Sequence, residues 1–207
     1  MIVRFIWMRY MRSATIWGLL FFSGLLVTTG FAGESDAEVL RKGTRSVGIS
    51  GGIALGTTVW GGFLRHDAAM VNLHFGSVVS DLLMEDHFLR GRFALGADFS
   101  FSHHYKPKRA YLIDAASNVR YIFETSERWK PFVDAGIGIA ITDIGRPNLG
   151  GKQQFSPQAG AGIHWFYRPD LAVTFQERYM HFSNGGLRSP NSGVNQFVTL
   201  IGLTRFY

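Results

Sequence analysis

Apolar residues alternate with polar or very small ones along most of this chain, from Val47 to the final residues. Val47, Ile49, Ile53 and Leu55 interleave with Gly48, Ser50, Gly52 and Ala54, and Phe93, Leu95, Ala97, Phe99 and Phe101 with Ala94, Gly96, Asp98, Ser100 and Ser102. Farther on, Tyr111, Ile113, Ala115, Val119, Tyr121 and Phe123 are set against Asp114, Asn118 and Arg120. Val133, Ala135, Ile137 and Ile139 are set against Asp134, Gly136, Gly138 and Ala140. Successive side chains of a strand point to opposite faces, so each run predicts a strand with one apolar and one polar or tiny face. Eight such segments can be marked.

Strands of this kind hide their apolar face between two sheets in a soluble sandwich, or turn it outward to lipid in a membrane barrel. The polar faces hold Asp98, Asp114, Arg120, Asp134, His164 and Arg178 among many glycines, the composition of a charge-paired lumen rather than of a solvated exterior. Trp60, Phe63, Tyr105, Tyr111, Trp129, Phe132, Trp165 and Tyr167 fall near strand ends, as interfacial girdles do. The last strand finishes on Phe206-Tyr207, although Arg205 occupies a position where an apolar side chain is expected. These features predict an all-β fold, an eight-stranded antiparallel outer-membrane β-barrel, with a soluble exported β-sandwich as the alternative. With both termini periplasmic, the second, fourth and sixth connections should be short and the others longer external loops. Tyr167 to Asp170 and Glu124 to Lys130 fit as turns, and Thr57 to Ala69 and Asp143 to Gln154 as loops. Asp81 to Arg90 is longer than a turn and reads as a short amphipathic one.

The N-terminal segment changes the compartment. Arg4, Arg9 and Arg12 precede an apolar run from Ile16 to Val27 and small residues up to Ala32, which predicts a signal peptide over 1–32 and a single barrel domain over 33–207. Its removal leaves eighteen basic and fifteen acidic residues, too small an excess to suggest nucleic acid. The chain has no cysteine, so disulfides, thiolate chemistry and cysteine-rich metal sites are excluded. No zinc or calcium motif is present, and His103 and His104, being adjacent, point to opposite faces of a strand. His164 on the lumen side is expected to pair with Asp114 or Asp134.

Candidate chemistry concentrates in Arg178-Tyr179-Met180-His181-Phe182-Ser183-Asn184-Gly185-Gly186-Leu187. His181 and Ser183 share a strand face with Cα atoms roughly 6.5 to 7 Å apart, a gap that a base and its nucleophile can close. In the predicted topology the seventh strand ends outside, which puts the pair near the outer leaflet. Asn184 and the backbone N–H groups of Gly185 and Gly186 are candidate oxyanion donors, although the same residues read equally as turn formers. Leu171, Val173 and Phe175 share the His181 face and would line a track for a fatty chain. Glu177 shares it too, but about 13 Å along the strand.

The stretch His181-Phe182-Ser183-Asn184-Gly185-Gly186-Leu187, with Pro190-Asn191-Ser192-Gly193-Val194-Asn195 and a terminal strand ending in aromatics, resembles the outer-membrane lipid A 3-O-deacylases of the PagL type. The resemblance implies an eight-stranded barrel whose site faces the membrane, with lipid A of lipopolysaccharide as substrate and outer-membrane lipids around it. It implies His181 as base and Ser183 as nucleophile, with Asn184 and Asn191 supporting the site and its oxyanion hole. It names no cofactor and no metal, and it leaves room for a homodimer. One departure stands out: the family's best-described triads carry a Glu fourteen residues after the His, where this chain has Asn195. Neutral Asn195 can orient the imidazole but cannot supply a full charge. A non-catalytic barrel that binds lipid or serves as scaffold or adhesin is the competing expectation.

Overall fold

Alternation along the sequence becomes alternation in space. The computed structural model describes residues 40–207, and the expected signal peptide lies outside the described residues. Among the described residues nine strands form: β1 (Arg45–Thr57), β2 (Asp67–Val78), β3 (Gly91–Lys106), β4 (Ala110–Phe123), β5 (Trp129–Thr142), β6 (Gln153–Phe155), β7 (Gln158–Arg168), β8 (Leu171–Phe182) and β9 (Val194–Phe206). All pairings are antiparallel, β1 closes on β9 and β4 on β5, and the sheet has no free edge along most of its length. β6 and β7 are two halves of one stave. Phe155 and Gln158 continue a single register against β5, Ser156 still exchanges both backbone bonds with Gly138 (2.9 and 3.2 Å), and the strand is interrupted at Pro157, which has no N–H to donate. Eight staves result, as the pattern predicts.

The faces also fall as expected, except that Phe132, read as part of an interfacial girdle, points into the lumen. Residues of β4 alternate between buried and exposed almost without exception, and Ile49, Leu73, Phe99, Ile113, Ile139 and Ile201 all lie on the exposed exterior. A continuous apolar exterior around a closed sheet is the surface a bilayer requires. An eight-stranded barrel leaves an interior just wide enough for side chains to fill. Here they fill it in three layers. An apolar cluster toward the long loops includes Met70, Leu112, Ile144, Met180, Phe182 and Leu200, and a second at the opposite end includes Ile122, Phe132, Phe166 and Phe206.

Between them lies a paired polar layer. Asp98 accepts from Asn72 (3.0 Å), Asn118 (2.6 Å) and Arg178 (3.1 Å), and Asp134 accepts from Arg120 (2.7 Å) and Gln176 (2.8 Å). Burial of these charges is tolerated because each carboxylate meets a cation and amide donors. His164 departs from expectation. Its Nδ1 bonds Thr174 Oγ1 at 2.8 Å and its Nε2 lies 3.4 Å from Arg120, while Asp134 is taken by Arg120 and Asp114 by Ser156 and Gln158. Arg205 is explained at the rim, where it pairs with Asp170 at 3.3 Å.

Connections follow the predicted asymmetry with two exceptions, the short β3–β4 connection and the long β2–β3 one. β7 and β8 are joined by Pro169-Asp170 and β4 and β5 by residues 124–128, whereas residues 58–66, 143–152 and 183–193 form long loops at the other end. The β3–β4 connection at that end is only three residues, 107–109, shorter than an external loop was expected to be. Residues 79–90 fold into turns closed by a Leu83–Gly91 bridge, with Phe88 exposed.

Candidate active site

β8 carries the site because its two faces are anchored differently. Gln176, Arg178 and Met180 point inward into the polar layer and the upper apolar cluster, which fixes the register. A slip of one residue would exchange every inward and outward side chain. Tyr179, His181 and Ser183 therefore face outward, half-buried, near the long-loop end of the strand. His181 N–H donates to Pro157 O (3.0 Å) on one side and the residue lies opposite Asn195 on the other, while Ser183 exchanges both backbone bonds with Phe155 (2.7 and 3.2 Å).

The orientation of one amide sets the chemistry of the histidine. Asn195 is 1% exposed although it belongs to the outward face, because the 58–66 loop folds over it. Its Nδ2 donates to Val59 O (3.1 Å) and Gly61 O (2.9 Å), and those carbonyls can only accept. The amide oxygen must then face away, and it receives Tyr179 Oη–H (2.8 Å) and His181 Nδ1 (2.5 Å). An acceptor at Nδ1 places the ring proton there and leaves Nε2 with a lone pair. His181 Nε2 and Ser183 Oγ have no hydrogen-bond partner among the described residues. Trp60 covers this arrangement edge-on to Tyr179, with centroids 5.1 Å apart.

Beyond Ser183 the chain turns on a network of amides. Asn191 Oδ1 accepts the N–H of Asn184 (2.8 Å), Asn184 Oδ1 accepts that of Gly186 (3.0 Å), and Asn184 Nδ2 donates to Arg188 O (2.8 Å). The Asn184 side chain thus gives its oxygen and one Nδ2–H to its own loop, and its second Nδ2–H has no partner among the described residues. Gly185 N–H is the one backbone donor of Asn184 to Gly186 without a partner among the described residues. Gly185 and Gly186 adopt φ values of +64° and +84°, in the region that glycine reaches without strain.

The expected acyl track needs relocation. Leu171, Val173 and Phe175 do lie on the outward face of β8, but six to ten residues from His181, roughly 20 to 33 Å along the strand. Leu171 sits opposite Arg205 at the far rim, about a hydrocarbon thickness away. Nearer the site, Tyr179 is flanked by Ala159 and Phe197, and Glu177 by Ala161 and Thr199. Ala159 and Ala161 are exposed and present only methyl groups beside Tyr179 and Glu177. Glu177 is engaged by Thr199 Oγ1 (2.6 Å), not by His181.

Five residues to which the sequence reading gave no role support the site. Asn148, fully buried in the 143–152 loop, donates to Gly193 O (2.9 Å) and lies 3.5 Å from His66 Nε2. Gly193 adopts φ +80°, and a methyl group there would stand 2.7 Å from His181 Cε1. Tyr179 and the carbonyls of Val59 and Gly61 complete the set. Only the glycines carried a local signal, as candidate turn formers.

Fold and site together define a class, a small outer-membrane-type β-barrel bearing a histidine, a serine and an orienting amide on its lipid-facing surface. Residues 78–204 match the model of the Lipid A 3-O-deacylase (PagL) family, and the chain belongs to that family. Lipid A deacylase PagL of Pseudomonas aeruginosa is 38% identical over 71 residues, a stretch that is 33% of this chain and 39% of that protein. The chain thus spans about two fifths of the length of the relative it matches. The crystal structure of the outer membrane enzyme PagL matches with a TM-score of 0.56 at 23% identity, covering 75% of this chain and 97% of that one. Neisserial surface protein A matches with a TM-score of 0.58 at 17% identity, over 79% and 99% of the two chains. Both likenesses concern the fold.

Proposed function

We propose that this protein is an outer-membrane serine esterase that removes an ester-linked 3-hydroxyacyl chain from the 3-position of lipid A. The observation that carries the reading is the fixed amide of Asn195, which leaves His181 with its base nitrogen free two residues from an outward-facing serine. His181 Nε2 takes the proton of Ser183 Oγ as the oxygen bonds to the acyl carbonyl carbon. The oxyanion that forms is held by Gly185 N–H, in a turn kept open by Asn184 and Asn191. Collapse breaks the bond to the sugar oxygen, which receives the proton from His181. Water, deprotonated by the same nitrogen, then releases the fatty acid from Ser183. The acyl chain lies along the exterior over Ala159 and Ala161, so the site faces the outer leaflet.

Mass spectrometry of lipid A after incubation with the detergent-folded protein tests the reading. Loss of one 3-hydroxyacyl group is expected, and Ser183→Ala should lower its rate by at least about 10³-fold. Intact lipid A after incubation with a demonstrably folded barrel would favour a lipid-binding or scaffold role.

A further inference from the structure

The 143–152 and 183–193 loops carry three basic residues and one acidic one, Asp143, whose carboxylate accepts the Tyr111 N–H (2.8 Å). From Ile144 to Pro169, and again from Arg178 to Tyr207, the chain contains no acidic residue. The 143–152 and 183–193 loops are zipped together at their backbones: Ser192 N–H donates to Asn148 O (3.0 Å), Leu149 bridges Asn191, and Gly150 packs against Ser189 and Pro190. Gly151 in turn packs against the Arg188 side chain, whose Cδ would lie 3.3 Å from any added Cβ. This zipper gathers Arg146, Lys152 and Arg188, all exposed, around the turn that follows Ser183. Arg146 Nη2 reaches Ser189 O at 3.4 Å, and Lys152 is three residues from Phe155, the backbone partner of Ser183.

None of the three forms an ion pair among the described residues. Several cations elsewhere do pair. Lys42 meets Asp81 (3.3 Å), Lys106 meets Asp67 (3.6 Å), Lys130 meets Glu124, Arg205 meets Asp170 (3.3 Å), and the lumen arginines meet Asp98 and Asp134. Three gathered cations repel one another, and an anion bound among them would relieve that repulsion. Guanidinium groups bind phosphate oxygens in pairs, and the patch stands at headgroup level beside the acyl-cleaving serine.

We infer that Arg146, Lys152 and Arg188 form a phosphate-recognition patch that seats the phosphorylated sugar headgroup of the substrate next to Ser183. The inference rests on the esterase reading only for the identity of that substrate. A phosphate could come from the glycolipid itself or from a neighbouring phospholipid, and the test separates the two. Binding and turnover are measured in neutral-detergent micelles with phosphorylated lipid A and with the same lipid A after enzymatic removal of its phosphates. Each arm is repeated with phosphatidylglycerol added. Removing the phosphates should raise KM about 10- to 100-fold with kcat held, and the gap should narrow at high salt. The triple variant Arg146→Gln, Lys152→Gln, Arg188→Gln should treat both substrates alike, whereas Arg128→Gln, in the β4–β5 turn, should behave as the parent. Equal KM for the two substrates in the unmutated protein overturns the inference, as does a dependence on phosphatidylglycerol alone. Binding of both lipids to Ser183→Ala protein reads the patch without catalysis. If the unmutated protein turns over neither lipid yet this variant still prefers the phosphorylated one, the esterase reading fails and the patch stands.

Discussion

Asn195 makes four hydrogen bonds, and each constrains the others. Two loop carbonyls fix its amide nitrogen, the nitrogen fixes the oxygen, and the oxygen fixes the His181 ring. Removing the side chain frees the ring to rotate and to carry its proton on the wrong nitrogen. Asn195→Ala is therefore expected to lower kcat by up to about 10⁴-fold, the loss seen when the orienting group of a triad is neutralised, while KM changes little. Steady-state kinetics on lipid A check this, and a kcat within a few-fold of the parent would remove Asn195 from the site. His181, Ser183 and Asn195 were legible in the sequence, because a two-residue spacing on a strand and a motif place them. The partners that tune them were not. Val59 and Gly61 act through backbone carbonyls more than 130 residues away in the chain, and a carbonyl leaves no trace in residue type.

At the scale of elements, three loops converge on one strand end. The 58–66 loop holds Asn195, the 143–152 loop holds Gly193 through Asn148, and Gly193 in turn leaves room for His181. Gly193→Ala places a methyl group 2.7 Å from His181 Cε1 in a residue at φ +80°, so the ring or the turn must move. A displacement of about 1 Å at a catalytic group costs on the order of 10² in rate. The variant should lose activity by at least that factor while retaining the β-sheet circular dichroism of the parent, and an unimpaired rate would show that the ring has slack. The strands themselves were readable, since period-two alternation survives in every stave. The break at Pro157 and the short β3–β4 connection were not foreseen. The short connection depends on how far the β3–β4 ladder runs, which the pairing partners decide, whereas the break follows from a proline that the sequence itself displays.

The whole molecule has a lipid-facing exterior and a lumen packed in layers, so its polar interior groups must be satisfied from within. His66 enters the upper lumen from the 58–66 loop, 2% exposed, with its ring 6.0 Å from that of His104 and its Nδ1 unpartnered. Burial lowers its pKa below the ordinary 6.5; the Asn148 bond raises it, the Lys108 charge lowers it, and Asp67 raises it. A histidine depressed in the folded state binds a proton more readily when unfolded. Its contribution is thus complete above about pH 6.5 and is lost as pH falls from there toward the folded value. Because His66 touches Asn148 and its carbonyl accepts Gln196 Nε2–H (2.6 Å), protonation strains the loops that hold the site. Thermal unfolding in detergent, followed by circular dichroism between pH 7.5 and 5, should show the melting temperature falling below pH 6.5 in the parent and falling less in His66→Gln. The other ionisable groups are common to both proteins, so the difference between their profiles isolates the buried ring, and parallel profiles would mean that His66 is not the acid-sensitive group.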